Sequence, residues 1–502
     1  MLLPNHHGCR DGQQTMKNGR IALQTTFFAT LVLLTCSALF SLAYAAPKAQ
    51  MLKPFASLSD ESKQCAACHK EQNPALYQQW GRSKHYGANI GCFECHQADP
   101  NDADAIKHEG FDIAVIVSPK DCGQCHNKEV EEFAASHHAK AGQIIGSLDN
   151  FLAEAVEGQL SFNGQSPAAV SGCWQCHGAE VKVLANGDLD PTTWPNTGIG
   201  RLNPDGSVGA CSACHQRHEF SMVQARRPEA CGKCHLGPDH PQKEIYEESK
   251  HGINFFANVE HMNLGSAKWI VGEDYDAAPT CATCHMSATR ELPLTHDVGA
   301  RISWTLRPAI SEKVDAKAIA QGKQVKPWEE RRADMKNVCS ACHTSGWIEN
   351  FYTQFDNLVV LYNEKFARPG KSMMDLLTKN EMLTEVQFDE EIEWTWFYLW
   401  HHEGRRARHG AAMMAPDYVQ WHGMFEVAER FYVEMVPQYL EVVEKAEHAG
   451  KKEQAAEARK LLDEILSRPE HAWFSGKEPA DIKQKRQEAQ KAFKQRYQSE
   501  SK

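Results

Sequence analysis

Hydrophobic and polar residues follow three different patterns along the 502-residue chain. A short apolar run at residues 21–43 follows Lys17 and Arg20. After a short lead-in at 46–64, residues 65–345 are rich in Gly, Pro and Asn, a composition that predicts short helices and loops with few strands. Beyond Trp347, apolar side chains recur at three- and four-residue spacing, which predicts longer amphipathic helices.

The region after Trp347 is predicted to be mainly helical. Its helical stretches are 348–380, 381–402 and 416–468. Asp417 is a helix-start signal, whereas Pro437 should kink or break the last stretch because proline lacks a backbone donor. Residues 469–502 form a charged, polar tail. This region has two candidate roles, as a cover over the preceding region or as a subunit interface.

The apolar run near the N-terminus predicts a secretory signal peptide over residues 1–45. Ala43-Tyr44-Ala45 has the small residues of a cleavage site, and positive charge precedes the run. A retained membrane anchor is the alternative, and Met16 is an alternative start. No later apolar stretch is long enough to span a bilayer. We therefore expect export to a bacterial periplasm or an equivalent compartment.

Cys-x-x-Cys-His motifs recur eight times after the leader. In order, they are Cys65-Cys68-His69, Cys92-Cys95-His96, Cys122-Cys125-His126, Cys173-Cys176-His177, Cys211-Cys214-His215, Cys231-Cys234-His235, Cys281-Cys284-His285 and Cys339-Cys342-His343. The other cysteines, Cys9 and Cys36, lie in the leader. Two thiols three residues apart can bond the two vinyl groups of one haem, and the adjacent histidine then reaches the iron. A zinc half-site or a redox dithiol could mimic one motif, but neither needs a histidine after every pair. The sequence thus predicts eight covalently attached c-type haems.

The motifs are so closely spaced that their haems must lie near one another. Three of them, starting at Cys173, Cys211 and Cys231, fall within 63 residues. The predicted fold is mainly α, with a multihaem cytochrome c core of short helices and loops around eight haems over residues 46–345. A long-helix C-terminal region follows over 346–468. Porphyrin rings would supply much of the buried apolar area of the core.

The charge balance argues against nucleic acid as a partner. Without residues 1–45, the chain carries 51 basic and 64 acidic side chains, before haem propionates add further negative charge. A solvated acidic surface is the simplest explanation of this excess.

The second ligand of each iron must come from outside the motifs. A haem with two histidine ligands passes electrons, whereas one with a single histidine can bind a substrate at iron. Fifteen histidines after the leader are available: His85, His108, His137, His138, His218, His240, His251, His261, His296, His401, His402, His409, His422, His448 and His471. The tripeptide Ser-Lys-His occurs at both His85 and His251. Spacing does not assign any of these histidines to a particular iron.

Asp239 and His240 are adjacent and suggest proton chemistry. A carboxylate beside an imidazole could hold and deliver protons next to an open iron, as the turnover of small nitrogen or sulfur oxides requires. In the alternative interpretation, His240 is another iron ligand and Asp239 caps a helix.

The motif order resembles that of the octahaem hydroxylamine oxidoreductase (HAO) family. The residues that carry the resemblance are Cys211-x-x-Cys-His-x-Arg-His218-Glu-Phe-Ser221, Arg227-Pro-Glu-Ala-Cys231, Gly237-x-Asp-His240, Ser249-Lys-His-Gly252, Pro279-Thr-Cys281-Ala-x-Cys-His-Met286 and Thr295-His296. The resemblance spans most of the chain after the leader and is most specific in its middle.

The resemblance implies a mainly helical homotrimer with a catalytic fourth haem that lacks a distal protein ligand. This haem maps to Cys173, Cys176 and His177, and the family's distal pair maps to Asp239 and His240. The implied distal ligands of the other haems are His85, His108, one of His137 and His138, His218, His251, His296 and His409.

One departure from the family bears on the direction of the reaction. In oxidising members, a tyrosine from a neighbouring subunit is bonded covalently to the catalytic porphyrin. When the chain is aligned on Tyr432, this position falls on Trp421, and Tyr418 lies three residues away. The block from Trp400 to His409 also looks more like the members that lack the cross-link and are thought to act reductively.

We therefore expect a periplasmic reductase of nitrite to hydroxylamine or ammonia. In this interpretation, electrons would come from a redox partner protein or a quinol-linked cytochrome. Oxidation of hydroxylamine or hydrazine is the alternative, which a cross-link through Tyr418 would support. A third interpretation is a non-catalytic electron-transfer cytochrome in which His240 ligates the fourth iron.

Overall fold

Short helices joined by loops make up the haem-motif region, as the sequence predicts. The structure is a computed structural model that describes residues 57–146, 156 and 165–499, so the predicted leader lies outside the described residues. The α-helices of this region are Asp60–Gln72, Pro74–Gly81, Lys84–Gly87, Phe93–His96, Pro119–Gly123, Asn127–Ala135, Trp174–His177, Met222–Arg226, Pro228–Gly232, Gln242–Glu248, Lys250–Ala257, Cys281–His285, Ala316–Ala320 and Trp328–Ser340. Turns of 3-10 helix occupy His138–Gly146, Cys211–Ala213 and Val259–Met262, and a π-helical turn occupies Ala169–Cys173.

Strands are few in the described residues, and the two named ones form an antiparallel hairpin. Ile106–His108 pairs with Phe111–Ile113 in a register that sets His108 opposite Phe111. Glu109 and Gly110 connect the strands, and both have positive φ, at 51° and 91°. A two-residue loop with positive φ at both positions suits the twist of a hairpin. The hairpin thereby fixes His108 at its tip.

Longer helices dominate after residue 345, which confirms the predicted mainly α fold. The α-helices are Ser345–Tyr362, Arg368–Lys379, Glu391–Phe397, Gly404–Met413, Pro416–Val419, Glu426–Glu429, Val436–His448, Lys452–Leu466 and Ala480–Ser499. Turns of π-helix join several of them at Asn363–Ala367, Tyr398–Glu403, Gln420–Phe425 and Arg430–Met435. The predicted polar tail thus contains a helix, Ala480–Ser499, whose residues are exposed up to residue 498.

Two proline positions test the helix predictions. The helix begins at Pro416 with Asp417 in its first turn, as expected. The break predicted at Pro437 is wrong, because helical residues continue from 416 to 448. A π-helical turn, Arg430–Met435, precedes this proline, and the N–H of Val436 bonds to the carbonyl of Phe431, five residues back. The wider turn accommodates a residue that would disrupt a regular α-helix.

The largest apolar cluster of amino-acid side chains lies in the C-terminal helices. It joins Tyr362, Phe366, Phe431, Met435 and Tyr439 with other side chains of residues 362–465. A smaller cluster joins Tyr246, Phe255 and Trp269 with other side chains of residues 246–338, and it lies within the haem-motif region. Among the described residues, no helix is both long and apolar enough to cross a bilayer.

Serine caps explain the repeated Ser-Lys-His tripeptide. Ser83 Oγ accepts a hydrogen bond from the N–H of Tyr86 at 3.0 Å, and Ser249 Oγ accepts one from the N–H of Gly252 at 3.1 Å. Each serine caps the start of a short helix and satisfies an otherwise unpaired backbone donor. The histidine two residues later, His85 or His251, is therefore held in a fixed direction.

Candidate functional site

Single helical turns carry the haem motifs. The backbone N–H of the motif histidine bonds to the carbonyl of the first cysteine, at 3.0 Å for His96 and Cys92. This bond brings residues one turn apart to the same side, so both thiols and the imidazole can reach one haem. The Nδ1 atom of His96 also donates to the carbonyl of Ala114 at 2.8 Å, which leaves Nε2 facing outward for a metal.

Six motif histidines face a second histidine from elsewhere in the described chain. The ring centroids are 6.1 Å apart for His69–His108, 6.4 Å for His96–His218, 6.2 Å for His126–His85, 6.5 Å for His215–His296, 6.1 Å for His235–His138 and 6.2 Å for His343–His251. Two imidazoles on opposite sides of one metal, each with a bond of roughly 2 Å, would have centroids roughly 6 Å apart. The residues therefore fit bis-histidine haem iron.

The histidine of the seventh motif, His285, has a different environment. Its Nδ1 lies 3.1 Å from the carbonyl of Val298, in a loop where a Cβ added at Gly299 would lie 3.4 Å from Cδ2 of His137. His137 is thus beside the loop that orients His285. The structure places the other expected ligand, His409, near His235 and His240 instead, and His409 is buried there.

His235 has two histidine neighbours at the spacing of an iron ligand. His138 lies at 6.1 Å and His240 at 6.0 Å between ring centroids. One iron bound to His235 has a single distal position, so only one of the two can occupy it. The Nδ1 atom of His240 lies 2.8 Å from Oδ1 of Asp239.

Cysteines of different motifs lie against one another and give the order of the motifs in space. Thiol contacts join Cys122 with Cys211, Cys176 with Cys234, and Cys231 with Cys281. Cys92 lies within electrostatic range of Cys65, Cys122 of Cys95, Cys214 of Cys231, and Cys284 of Cys339. The first, second, third, fifth and sixth motifs therefore form a row. At the sixth motif the row branches to the fourth motif and to the seventh and eighth.

Close glycine packing shapes the fourth motif. A Cβ at Gly198 would lie 2.0 Å from the backbone nitrogen of Gly178 and 2.2 Å from the carbonyl oxygen of Trp174. The N–H of Gly200 bonds to the carbonyl of His177 at 3.1 Å. The segment containing Gly198 and Gly200 thus packs backbone to backbone against this motif, and a side chain at Gly198 would push it away.

Asp239 and His240 lie beside the fourth motif and are held by an arginine from the C-terminal region. Nη1 of Arg405 donates to Oδ2 of Asp239 at 3.2 Å, and its Nε donates to the carbonyl of Arg307 at 2.8 Å. His240 is also within electrostatic range of Cys176, the second cysteine of the fourth motif. The structure therefore brings the Asp239–His240 pair close to the fourth motif, which is the motif expected to hold the catalytic haem.

The charges around Asp239 keep it ionised. Burial alone would raise the pKa of Asp239, but contact with His240 and the positive charges of His401 and Arg405 lower that pKa below its usual range. The carboxylate can thus accept hydrogen bonds from two sides, from His240 and from Arg405. This arrangement fixes the orientation of the imidazole.

The helix of residues 398–413 supplies side chains that sequence reasoning did not place beside Asp239. His401 and Arg405 are buried, and both lie within electrostatic range of Asp239, as does His402. Burial and the neighbouring His401 lower the pKa of His402 to about 4. The only signal in the sequence was the dense run of histidine and arginine from His401 to His409, more than 160 residues after Asp239.

The position expected for the family's cross-link lies on the surface. Trp421 is 58% exposed and contacts Phe425, with ring centroids 5.4 Å apart. Tyr418 is partly buried, stands next to His422, and has Glu244 and Glu248 within electrostatic range. The two candidate residues therefore have different surroundings.

Comparisons with protein families identify cytochrome sequences in the motif region. Residues 205–389 match the family described as "Seven times multi-haem cytochrome CxxCH", and residues 121–193 match "Cytochrome c554 and c-prime". These matches indicate covalently bound c-type haems in the two matched stretches.

Individual proteins are also similar to this chain. It is 26% identical over 321 residues to a probable nitrite reductase-hydroxylamine oxidoreductase fusion protein of Kuenenia stuttgartiensis; the match covers 56% of this chain and 34% of that relative, about a third of its length. A solved structure described as a hypothetical multiheme protein has a TM-score of 0.70 at 26% identity, covering 81% of this chain and all of that one. The reducing HAO-like protein complex of Kuenenia stuttgartiensis has a TM-score of 0.56 at 19% identity, covers 78% and 87% of the two chains, and shows a shared fold.

Proposed function

Because the chain is a hydroxylamine oxidoreductase-like multihaem cytochrome c, we propose that it is a periplasmic octahaem reductase of nitrite to hydroxylamine or ammonia. One observation carries this proposal: the fourth motif lies beside an Asp239–His240 pair that Arg405 holds in place. An ionised carboxylate that orients an imidazole is suited to proton transfer, which a purely electron-conducting haem does not need. The relative named as a nitrite reductase-hydroxylamine oxidoreductase fusion supports the same class of substrate.

The proposed cofactors are eight c-type haems, seven of them with two histidine ligands. The six facing histidine pairs support six of these, and the position of His137 beside the loop of His285 supports the seventh. We propose that His138 ligates the iron of His235, which leaves His240 available beside the fourth motif. The haem held by His177 would then keep an open distal position. A haem held there by Cys173, Cys176 and His177 would supply an iron that can bind the substrate and the electrons that reduce it.

The side chains around the open position have separate roles in this proposal. His240 donates protons to the oxygen atoms of the substrate, and Asp239 holds the imidazole in the required orientation. Arg405 keeps Asp239 ionised and in place through its hydrogen bond. The positive charges of Arg405 and its neighbours also favour an anionic substrate such as nitrite.

The reductive direction rests on the residue at the cross-link position. Tryptophan stands there, and Trp421 has no phenol oxygen with which to bond a porphyrin. Oxidation of hydroxylamine or hydrazine is the second candidate function. Tyr418 lies one helical turn from Trp421, and a cross-link through its phenol oxygen would support this direction. We also propose that the protein forms a homotrimer. Its electrons would come from a separate redox partner protein or from a quinol-linked cytochrome.

Mass spectrometry of the proteolytic peptide with Cys173 to His177 is the first test. We expect the mass of this peptide with one haem attached. A mass that also includes the segment with Tyr418 would show a cross-link and would favour the oxidative direction instead. The intact chain should carry eight haems. Nitrite consumption with a reduced dye should follow, and carbon monoxide should bind the reduced protein at one haem. A protein that binds no carbon monoxide would be an electron-transfer cytochrome.

A further inference from the structure

Several buried polar atoms of the 398–413 helix have no hydrogen-bond partner among the described residues. Three of them lie within five residues of one another: Nδ1 of His402, Oε2 of Glu403 and Nε of Arg406. A buried polar atom without a partner costs about 1–3 kcal/mol, so such atoms are usually satisfied by internal water. Three of them within five residues of one helix indicate a hydrated, polar passage inside the protein.

The inner end of this passage is at Asp239. His402 lies within electrostatic range of Asp239, Arg405 and Arg406. Arg406 in turn lies 3.7 Å from Oε1 of Glu403. His402 thus connects Asp239 to Arg406, and Arg406 in turn lies beside Glu403.

The outer end reaches the surface through paired charges. Arg406 donates to Glu426 at 2.7 Å, and His422, whose side chain is 50% exposed, lies 3.2 Å from the same carboxylate. Arg430 donates to Glu403 at 3.1 Å and to Glu434 at 2.8 Å. Polar groups therefore continue from Glu403 to solvent.

We propose that Glu403 carries protons from this surface to the Asp239–His240 pair. The proposal rests on the proposed nitrite reduction. Nitrite takes up six electrons and eight protons to give ammonium and two water molecules. The electrons come from a reduced donor protein through the other motifs, and the protons come from solvent. Each proton binds Glu403 from the surface side, leaves toward Asp239 and His240, and ends on the nitrogen or oxygen of the substrate.

The surroundings of Glu403 suit a group that gains and loses a proton near neutrality. Burial and, to a smaller extent, the charge of Glu426 raise the pKa of Glu403 to about 7, against the opposing charges of Arg430 and Arg406. Tyr362 of the helix Ser345–Tyr362 also faces this carboxyl group. A proton donor is most effective when its pKa is near the working pH.

The substitution Glu403→Gln tests the proposal in the haem-loaded protein. It keeps the shape of the side chain and removes its proton. We expect nitrite turnover to fall roughly a hundredfold, the loss typical of a missing acid–base group, with unchanged carbon monoxide binding. The decline of wild-type turnover as pH rises through 7 should also disappear. Glu434→Gln is the matched control, because Glu434 pairs with Arg430 and is 40% exposed.

Infrared difference spectroscopy gives a readout that needs no turnover. Photolysis of carbon monoxide from the reduced protein should perturb a protonated-carboxyl band that shifts in deuterated water. We expect this band in the wild type and in Glu434→Gln, and its loss in Glu403→Gln. Glu403→Asp, which keeps a carboxyl group, should retain a shifted band and part of the turnover.

The outcomes separate the two proposals. A Glu403→Gln protein with wild-type turnover, or with the carboxyl band intact, would overturn the role of Glu403. Equal losses in Glu403→Gln and Glu434→Gln would also overturn it, since they would trace the effect to Arg430. If the wild type does not reduce nitrite but the band still depends on Glu403, the proposed function fails and the proton-carrying group stands. If Glu403→Gln does not fold, two other measurements test the role of Glu403. They are the position of the carboxyl band in Glu403→Asp and the pH titration of that band in the wild type.

Discussion

At the scale of single residues, motif spacing predicts more of the site than any other sequence feature. The cysteines and motif histidines were identifiable because the haem attachment reaction fixes their separation. Arg405, His401 and His402 were not, because their position beside Asp239 depends on how the C-terminal helix packs, more than 160 residues away along the chain. The sequence marked them only as an unusual run of basic residues.

Asp239→Asn tests the orientation of His240. The amide keeps the size of the side chain but loses the charge that Arg405 and His240 contact. We expect nitrite turnover to fall roughly a hundredfold, with carbon monoxide binding retained because the iron site is untouched. Turnover with reduced dye and carbon monoxide titration measure the two effects. Asp274→Asn, a change of the same kind at a carboxylate bonded to Ser266 and Ile270, is the control, and equal losses in both variants would contradict the prediction.

At the scale of elements, the type of each helix was easier to predict than its ends. Apolar periodicity identified the helices after Trp347, but the stretch expected from residue 381 begins at Glu391. The break expected at Pro437 is absent because of the preceding π-helical turn, Arg430–Met435, which no apolar pattern reveals. Cap residues were visible in the sequence as the repeated Ser-Lys-His, yet their meaning required the helix starts at Lys84 and Lys250.

Ser249→Ala should weaken the helix that presents His251. The loss of a serine cap costs about 1 kcal/mol in the free energy of unfolding. The cap precedes His251 by two residues, so its loss should make the position of His251 less uniform. The low-spin spectrum of the haem proposed between His251 and His343 should therefore broaden. Chemical denaturation and electron paramagnetic resonance measure these changes. Thr353→Ala, which removes an exposed hydroxyl bonded to the carbonyl of Glu349 outside every haem motif, should neither lower the free energy of unfolding nor broaden the spectrum.

Asp356 joins two helices, Trp328–Ser340 and Ser345–Tyr362, through the buried Arg332. Both of its carboxylate oxygens accept from Arg332, at 2.6 and 2.7 Å, and Oδ1 also accepts from Trp304 at 2.8 Å. Burial alone would raise the pKa of Asp356, but these hydrogen bonds outweigh it and lower the pKa. The carboxylate therefore stabilises the fold above its unfolded pKa, and this stability is lost as pH falls through the acid range.

Asp356→Asn should lower the free energy of unfolding by about 3 kcal/mol at neutral pH, since it leaves a buried arginine without its counter-charge. The gap between variant and wild type should narrow below about pH 4, where the unfolded aspartate becomes protonated. Denaturation at a series of pH values measures this gap. Asp375→Asn, at an exposed pair with Lys371, is the control. A gap independent of pH would contradict the prediction.

At the scale of the whole molecule, the motifs form a branched row with the fourth motif attached through the sixth. Sequence order did not reveal this arrangement, in which the sixth motif contacts the fourth through Cys234 and the seventh through Cys231, and lies within electrostatic range of the fifth. Homotrimer formation stays a prediction from the family resemblance. The predicted mainly α fold is confirmed.

Removing the sixth haem should isolate the fourth. The double substitution Cys231→Ser and Cys234→Ser is expected to reduce nitrite turnover with reduced dye to background, because the fourth motif contacts the row through Cys234. The same change at Cys339 and Cys342 removes a haem at the end of a branch and should leave most of the turnover. Intact mass should show one haem fewer in each variant. Equal turnover in the two variants would rule out the branched route.

The distribution of apolar side chains also has a consequence for biosynthesis. The cluster of residues 362–465 is built from amino acids alone, whereas the proposed haems would supply much of the interior of the motif region before it. The ribosome makes the motif region first, but this region must wait for haem ligation, while the helices made last can pack without a cofactor. A chain that receives too few haems would therefore have a folded end and an open beginning, which proteases would recognise. Complete loading thus serves as the chain's own quality control.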